Sequence, residues 1–510
     1  MLKHSYKNKL KYYLTYWRWI GSQSVLIILL AIMSWLLMLC LISIILYEYE
    51  ERIAKPPDAN KSVDLAKLNP NTPIAESQPK KATSAQTKIL SREQLEIYDS
   101  IESSKKHVFI TGKAGTGKSA LLQHLKEHSS KQLMVLAPTG IAALNVGGQT
   151  IHSVFRQAEN YSRSRSMEET TIEVLKHLDA LLIDEISMVR ADIIDHIDKT
   201  LRSTRGISRA FGGVQMIMFG DLYQLPPIVS DSEMRKYFEA KYGGYFFFHA
   251  LVWRRTKLQI YELSHIFRQQ GSQFKRILNS IRIGQVDQEV LSELNQRSSM
   301  NLPEAGVITL ASTNKLVGEI NQQKLSAISA REYLYKAIID GKLKPNEYLA
   351  EQNLCLKVGA QVMMIKNDKD RRWVNGSLGT IASLSHNEVK VRLNKLVYSL
   401  EPETWTKIKY KYDSSSGKIS QDQIGSVTQY PIRLAWAITI HKSQGQTYDK
   451  CAVDLKDGVF AHGQAYVALS RCKSLSGLYL LSPILAQDIR VLPEVVEFMR
   501  KINPDKSAYI

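Results

Sequence analysis

Cysteine is scarce in this chain: four residues in 510, Cys40, Cys355, Cys451 and Cys472, with no Cys-x-x-Cys pair and no Cys/His cluster at metal-ligand spacing. That excludes a disulfide framework and argues against a structural zinc module, leaving four reduced packing residues in a reducing compartment. Acidic residues are also in deficit, with 49 Asp and Glu against 67 Lys and Arg and a formal charge of +18. A surface of that sign suits a polyanionic partner, either nucleic acid or an anionic lipid face. Residues 1–85 carry 11 bases and 6 acids, a net of +5, so 18 − 5 leaves +13 downstream. The excess therefore belongs mainly to the larger body and points to nucleic acid first. At 44% hydrophobic residues the chain can bury several cores, and its length suggests roughly three domains.

Long uncharged apolar runs are missing as well, with one exception. Val25 to Leu46 is a stretch of 22 residues without a charge, flanked by Trp17 and Trp19 on one side and Tyr47 and Tyr49 on the other. At about 1.5 Å per residue it matches the roughly 30 Å bilayer core, and the aromatic flanks suit the interfacial belts. A transmembrane helix over 25–46 is expected, after a basic tail over 1–24, with the membrane as one partner. A cleaved signal peptide would be shorter in its apolar part, and a buried core helix lacks a packing partner. The basic residues before the span (Lys3, Lys7, Lys9, Lys11, Arg18) and the acids after it (Glu48, Glu50, Glu51) would put the body outside by the positive-inside rule. The downstream pattern Gly112-x-x-x-x-Gly117-Lys118-Ser119 is that of a phosphate cradle, and a body that consumes ATP has to face it, so the expected placement is a single-pass protein with its body on the cytoplasmic or other ATP-containing side. A basic, acid-poor start also resembles an organelle-targeting sequence. Residues 47–88, with Pro56, Pro57, Pro70, Pro73 and Pro79 among polar residues, form a linker.

The chemistry begins at Gly112-Lys113-Ala114-Gly115-Thr116-Gly117-Lys118-Ser119. This G-x-x-x-x-G-K-S pattern follows the apolar run Val108-Phe109-Ile110 and precedes Ala120-Leu121-Leu122, the strand, loop and helix that a phosphate cradle requires. Gly112, Gly115 and Gly117 let backbone N–H groups face phosphates, with Thr116 in the loop, and the helix start adds its positive dipole end. Lys118 is placed to neutralise the β- and γ-phosphates, and Ser119 to ligate Mg²⁺. Leu181-Leu182-Ile183 ends in Asp184-Glu185, at the carboxyl edge of a buried strand: Asp184 for Mg²⁺ through water, Glu185 to orient and deprotonate the attacking water. Two further apolar runs, Leu133 to Leu136 and Met216 to Phe219, repeat the strand-then-polar-loop layout of a parallel α/β sheet. ATP and Mg²⁺ are the expected cofactors.

From Gly220-Asp221-Leu222-Tyr223-Gln224-Leu225-Pro226-Pro227 outward, the chain resembles the PIF (petite integration frequency) family of DNA helicases, superfamily 1 group B, related to RecD-type motors. The resemblance runs from about residue 89 onward. Its parts are Leu90 to Gln94, the cradle, Ala137 to Ala143, Thr150 to Ser153, Asp184 to Met188, the Gln224 loop, Leu263 to Gln269, Leu434 to Thr447 and Ala465 to Arg471. It implies two RecA-like P-loop lobes, the first over 89–262 and the second over 263–350 and 431–510, with a small SH3-like β-barrel over 351–430. It further implies that Gln94 reads the adenine edge, that Gln224 senses the γ-phosphate, and that Arg268 and Arg471 reach that phosphate from the second lobe, with Gly445 beside the nucleotide. Thr139, Gly140, His152, His441, Lys442 and Ser443 match positions that touch single-stranded DNA, chiefly its backbone. Hydroxyls, N–H groups and cations are what a sequence-blind grip needs. The polar insert at about 154–171, with Tyr161, Arg163 and Arg165, stands where similar helicases carry a duplex-splitting wedge, although the same residues suit an ordinary solvated loop. Short alternating strands at Ala360 to Ile365, Leu378 to Ile381 and Val389 to Leu393, with a turn at Asn375-Gly376, fit the barrel. Lys366, Lys369, Arg371 and Arg372 cluster beside it and suit a DNA guide or a solvated face.

The function expected from these residues is ATP-driven 5′ to 3′ translocation on single-stranded DNA with unwinding of forked duplexes, in repair, recombination or telomere-type maintenance. Two alternatives stand beside it. A translocase that displaces protein without separating strands would hydrolyse ATP but leave a fork intact. A nucleotide-gated membrane scaffold would not need Lys118, Glu185, Arg268 and Arg471 together.

Overall fold

Four apolar runs along the first half of the chain become the centre of one parallel sheet because each carries hydrophobic residues to both faces, and two less buried strands edge it. The strands are β1 (His107–Gly112), β2 (Leu133–Ala137), β3 (Gln149–Thr150), β4 (Ala180–Ile183), β5 (Gln215–Phe219) and β6 (Leu258–Leu263), in the order β3-β2-β4-β5-β1-β6. All neighbours run parallel. On one face Val108, Ile110, Leu182, Ile217 and Phe219 pack with Ile97 and Ile101 of helix α1 (Arg92–Ser103) and with Leu121, Leu122 and Leu125 of helix α2 (Lys118–His128). On the other, Phe109, Leu181, Ile183, Met216 and Met218 meet Ile194, Ile197 and Leu201 of the helix Ala191–Arg205. Each such fully buried aliphatic side chain contributes on the order of 1.5–3 kcal/mol. The structure, a computed structural model, describes residues 90–155, 167–229, 231–341, 350–456 and 458–502.

A second, smaller parallel sheet is assembled from strands far apart in the chain. Strand β7 (Ile308–Ala311) is followed by a long excursion: β8 (Glu332–Lys336), β9 (Ile338–Gly341), β10 (Asn353–Lys357), β11 (Gln361–Met364), β12 (Leu378–Leu384), β13 (Val389–Leu393), β14 (Leu396–Leu400), β15 (Glu403–Asp413), β16 (Lys418–Gln429) and β17 (Ile432–Leu434). The chain then returns to the second sheet through β18 (Ala437–Thr439), β19 (Cys451–Asp454) and β20 (Leu478–Leu480), giving the order β18-β7-β19-β20. Within the excursion, β14-β13-β12-β11-β17 form an antiparallel sheet, and Leu354, Leu356, Val362, Ile381, Val389, Val391 and Ile432 share its core. Strand β8 pairs with β10, and β9 pairs with β16, so residues 332–341 join the sheets of the excursion although they precede position 351.

The hairpin β15–β16 is the feature that patterning alone misses. Strand β3 is only two residues long and leaves the edge of β2 open at Val135. The Tyr410 hydroxyl fills that gap, accepting from Val135 N at 3.0 Å, while Gln149 Nε2 donates to Ile408 O at 3.0 Å and Ile419 N donates to Gln132 Oε1 at 3.0 Å. Tyr412 stacks on His177 with ring centroids 3.6 Å apart, and Lys409 pairs with Glu168. The excursion is thereby fastened to the first sheet.

Among the described residues no helix is long and apolar enough to cross a membrane. The span expected at 25–46, with its flanks at 1–24 and 47–88, lies outside the described residues, as do Tyr161, Arg163 and Arg165 of the expected wedge.

Candidate nucleotide site and nucleic-acid face

The cradle leaves β1, whose six residues are all buried, and enters α2 through Gly117. Gly117 is left-handed, at φ 84°, and a Cβ there would come within 2.5 Å of Gln94 Nε2. Gln94 is placed by the capping box of α1: Ser91 N donates to its Oε1 at 2.9 Å, and its Nε2 donates to Gly117 O at 3.1 Å. The residue expected to meet adenine thus hangs over the loop expected to hold phosphate. Lys118 Nζ donates to Gly112 O at 2.7 Å and to Lys113 O at 3.1 Å. Burial pushes its pKa below the ordinary lysine value, with Asp221 and Glu185 working the other way.

Opposite the cradle, burial raises the Asp184 carboxyl to about 6 and the Glu185 carboxyl to about 7, the latter helped by the neighbouring Asp184 charge. Glu185 sits at φ 50°, an uncommon conformation for a residue with a side chain and one that clusters at active sites. Burial also makes Glu185 a better base than an exposed carboxylate. Ser119 and Asp184 offer one hydroxyl and one carboxylate, the sparse protein donor set that suits Mg²⁺ when phosphate oxygens and water complete the shell. Among the described residues no group of three His, Cys, Asp or Glu could hold a metal, so a nucleotide-bridged ion is what this donor set fits.

The remaining groups come from later in the chain. Gln444 Nε2 donates to Glu185 Oε2 and to Gln224 Oε1, each at 3.3 Å, and Gln224 Nε2 donates to Asp221 Oδ2 at 3.3 Å. Arg471 is buried after the helix Gln464–Leu469, with Nε donating to Val467 O at 2.8 Å and Nη2 to Ser470 Oγ at 2.8 Å. Burial lowers its pKa, while the Tyr466 and Glu185 charges act in the opposite sense. Arg268 lies nearer the first sheet than expected. It follows β6, the neighbouring Phe267 N donates to Gly115 O at 2.9 Å, and Arg268 Nη2 approaches Gly445 O at 3.5 Å. It therefore approaches from the connector between sheets, whereas Arg471 comes from the second sheet's own helix. Burial, then Arg471, lowers the Arg268 pKa to about 9.

Sequence reasoning missed the polar core that joins the two sheets. Asp221 is fully buried and takes Nη2 of Arg282 at 3.1 Å and the hydroxyl of Tyr466 at 3.3 Å. That same hydroxyl accepts from the cradle's Ala114 N at 3.0 Å. Burial opposes the Asp221 charge, yet Arg282 and Lys118 hold its pKa below the usual value. Arg282 also lies over the Tyr223 ring, 4.2 Å from its centroid. The available signal was a charge on an otherwise apolar helix face, since Arg282 sits beside Phe274, Ile277, Leu278 and Ile281 with 4% exposure.

The positions expected to touch DNA lie at the carboxyl ends of parallel strands. Thr139 and Gly140 follow β2, His152 follows β3, and His441, Lys442 and Ser443 follow β18. Thr139 caps its helix by accepting from Ala142 N at 3.2 Å, His152 and Lys442 are exposed, and His441 is half-buried. Ser443 differs from these: it is buried, and its hydroxyl donates to Ile440 O at 2.8 Å, so its side chain holds the loop. A small cavity of about 60 Å³, lined by Gly140, Ala143, Thr150, Ser153, Lys407 and Ile408, separates the first sheet's loops from the hairpin.

Two parallel sheets, a phosphate cradle on the first and arginine and glutamine side chains delivered to it by the second define a two-lobed P-loop motor ATPase. The family model described as PIF1-like helicase matches residues 89–292, and that of the DNA helicase Pif1 2B domain matches 344–384. The chain is 32% identical over 429 residues to the ATP-dependent DNA helicase Pif1 of Bdellovibrio bacteriovorus, covering 81% of this chain and 92% of the relative. It is similar to the crystal structure of Bacteroides Pif1 in complex with ADP-AlF4, at TM-score 0.75 and 38% identity, covering 82% of this chain and 98% of the other. Bacteroides Pif1 bound to ssDNA gives TM-score 0.59 at 38% identity over the same shares of the two chains. The chain belongs to the PIF1-like helicase family, and its activity is that of an ATP-dependent DNA helicase.

Proposed function

We propose that this chain unwinds forked DNA by travelling 5′ to 3′ along the single strand, in repair, recombination or telomere-type maintenance, while tethered to a membrane through residues 25–46. The observation that carries the motor reading is the contact set at Glu185: a carboxylate of the first lobe hydrogen-bonded by Gln444 of the second, which also reaches Gln224. The backbone N–H groups and Lys118 hold phosphate, Gln94 orients the base, and Glu185 takes the proton of the attacking water. Ser119 and Asp184 would hold Mg²⁺, which would supply neutralisation of phosphate charge. Arg268 reaches the site from the connector beside the cradle, and Arg471 completes it only when the lobes meet, so hydrolysis depends on closure and closure becomes movement. The excursion between β7 and β18 is read as an SH3-like barrel that guides the strand.

Strand displacement from 5′-tailed and 3′-tailed forks tests this reading. Displacement of the 5′-tailed substrate is expected. Lys118→Ala should abolish DNA-stimulated ATPase, and Glu185→Gln should lower kcat by roughly 10²–10⁴-fold. ATP hydrolysis with neither fork opened would instead favour a translocase.

A further inference from the structure

We propose that Phe460, together with His441, forms an aromatic platform on which bases of the single strand stack. The proposal rests on the motor reading above and adds a grip on bases to the expected grip on the backbone. Phe460 is a large apolar ring that is 57% exposed. It follows β19, as His441 follows β18, so both rings sit at the carboxyl edge of the second sheet, flanking the end of β7.

Such exposure in a loop is usually incidental, but this loop is built to hold the ring still. Val459, immediately before it, is buried in the core, and Phe460 N and Ala461 N both donate to Gln464 Oε1, at 3.1 and 3.2 Å. Gln464 is itself fully buried at the start of the helix that precedes Arg471. The two rings lie within 10° of parallel, with centroids 6.4 Å apart. Two near-parallel rings at that distance present π faces to one neighbourhood, where bases of a single strand can stack. Burial also lowers the His441 pKa, which keeps its ring neutral near pH 7 and suited to π contact more than to pairing with phosphate. Stacking on rings is tolerant of sequence because every base presents a π face. Because the helix that begins at Gln464 ends next to Arg471, the platform is also mechanically linked to the nucleotide site.

The test compares the binding of full-length protein to an oligothymidylate and to an abasic oligomer of equal length and charge. Phe460→Ala is expected to weaken oligothymidylate binding by roughly ten- to a hundredfold, to change abasic binding less than about twofold, and to leave the salt dependence of affinity as it was. Phe460→Trp should retain the wild-type preference for the base-bearing strand, which separates stacking from a folding defect. Equal losses on both oligomers, or no loss on oligothymidylate, would overturn the platform. Wild-type protein that binds neither oligomer would overturn the motor reading and the platform with it.

Discussion

His107 shows how one buried side chain sets a pH limit on this protein. It lies on β1 with 8% exposure, packs edge-on against Phe211 at 5.0 Å, and accepts from Met216 N at 3.2 Å through Nδ1, which requires the neutral ring. Burial lowers its pKa from the ordinary 6.5 to about 4, against the raising influence of Asp198. The unfolded chain therefore binds the proton more tightly. Stability is fully present above about pH 6.5 and declines as pH falls toward 4, by about 3 kcal/mol from this group alone. Urea midpoints at pH 7.5 and pH 5 should differ less for His107→Gln than for wild type, because Gln retains an acceptor without titrating. An equal decline in both proteins would remove His107 as the cause. The Arg282–Asp221 pair belongs to the same scale, since removing either partner alone would strand a charge in the interior, at a cost of about 3–5 kcal/mol.

At the scale of elements, strand length and hairpin length complement each other. A two-residue β3 leaves Val135 N without a strand partner, and the 11-residue β15 and 12-residue β16 are long enough to bring Tyr410 to it. A buried N–H left unmade costs about 1–3 kcal/mol, so this single hydroxyl matters to the docking of the whole hairpin. Tyr410→Phe should speed hydrogen exchange at the Val135 amide by about ten- to a hundredfold, with β4 and β5 amides unchanged. Uniform acceleration across the sheet would mean that the hydroxyl supports the fold at large. Because Gly140 follows β2 by three residues, a loosened hairpin also loosens the cavity between Gly140 and Lys407.

For the whole molecule, the proposed tether separates two kinds of solvent. Residues 25–46 suit hydrocarbon, while the unit spanning Gln86–Ile510 has its own cores and completes its site from its own residues. Full-length protein should stay in the membrane pellet through high-salt and alkaline washes, and a fragment of residues 89–510 should be released while still displacing the 5′-tailed strand. Release of the full chain by salt alone would reduce the span to an electrostatic contact of the basic tail. Protease treatment of intact cells or organelles then decides the side, since digestion of the body from outside would contradict its placement with ATP.

Local signals were enough for the cradle, for Asp184-Glu185 at a strand end and for the alternating strands of the excursion. Each depends on neighbours within about ten residues: hydrophobic period, glycine placement and turn chemistry. Contacts between distant residues were not legible, because their cause is the closing of two sheets on each other. Tyr466 reaches Ala114 across 352 positions, Gln444 reaches Glu185 across 259, and Tyr410 reaches Val135 across 275. Nothing in the local pattern around Ser443 separates a hydroxyl that faces a strand from one turned inward to Ile440. Sequence alone determined that a phosphate-cradle motif and a strand-end Asp184-Glu185 pair stand here. Tertiary structure alone decided that Gln444, Tyr466 and Arg282 join them, because burial and partner choice depend on the packing of segments that the chain order keeps apart.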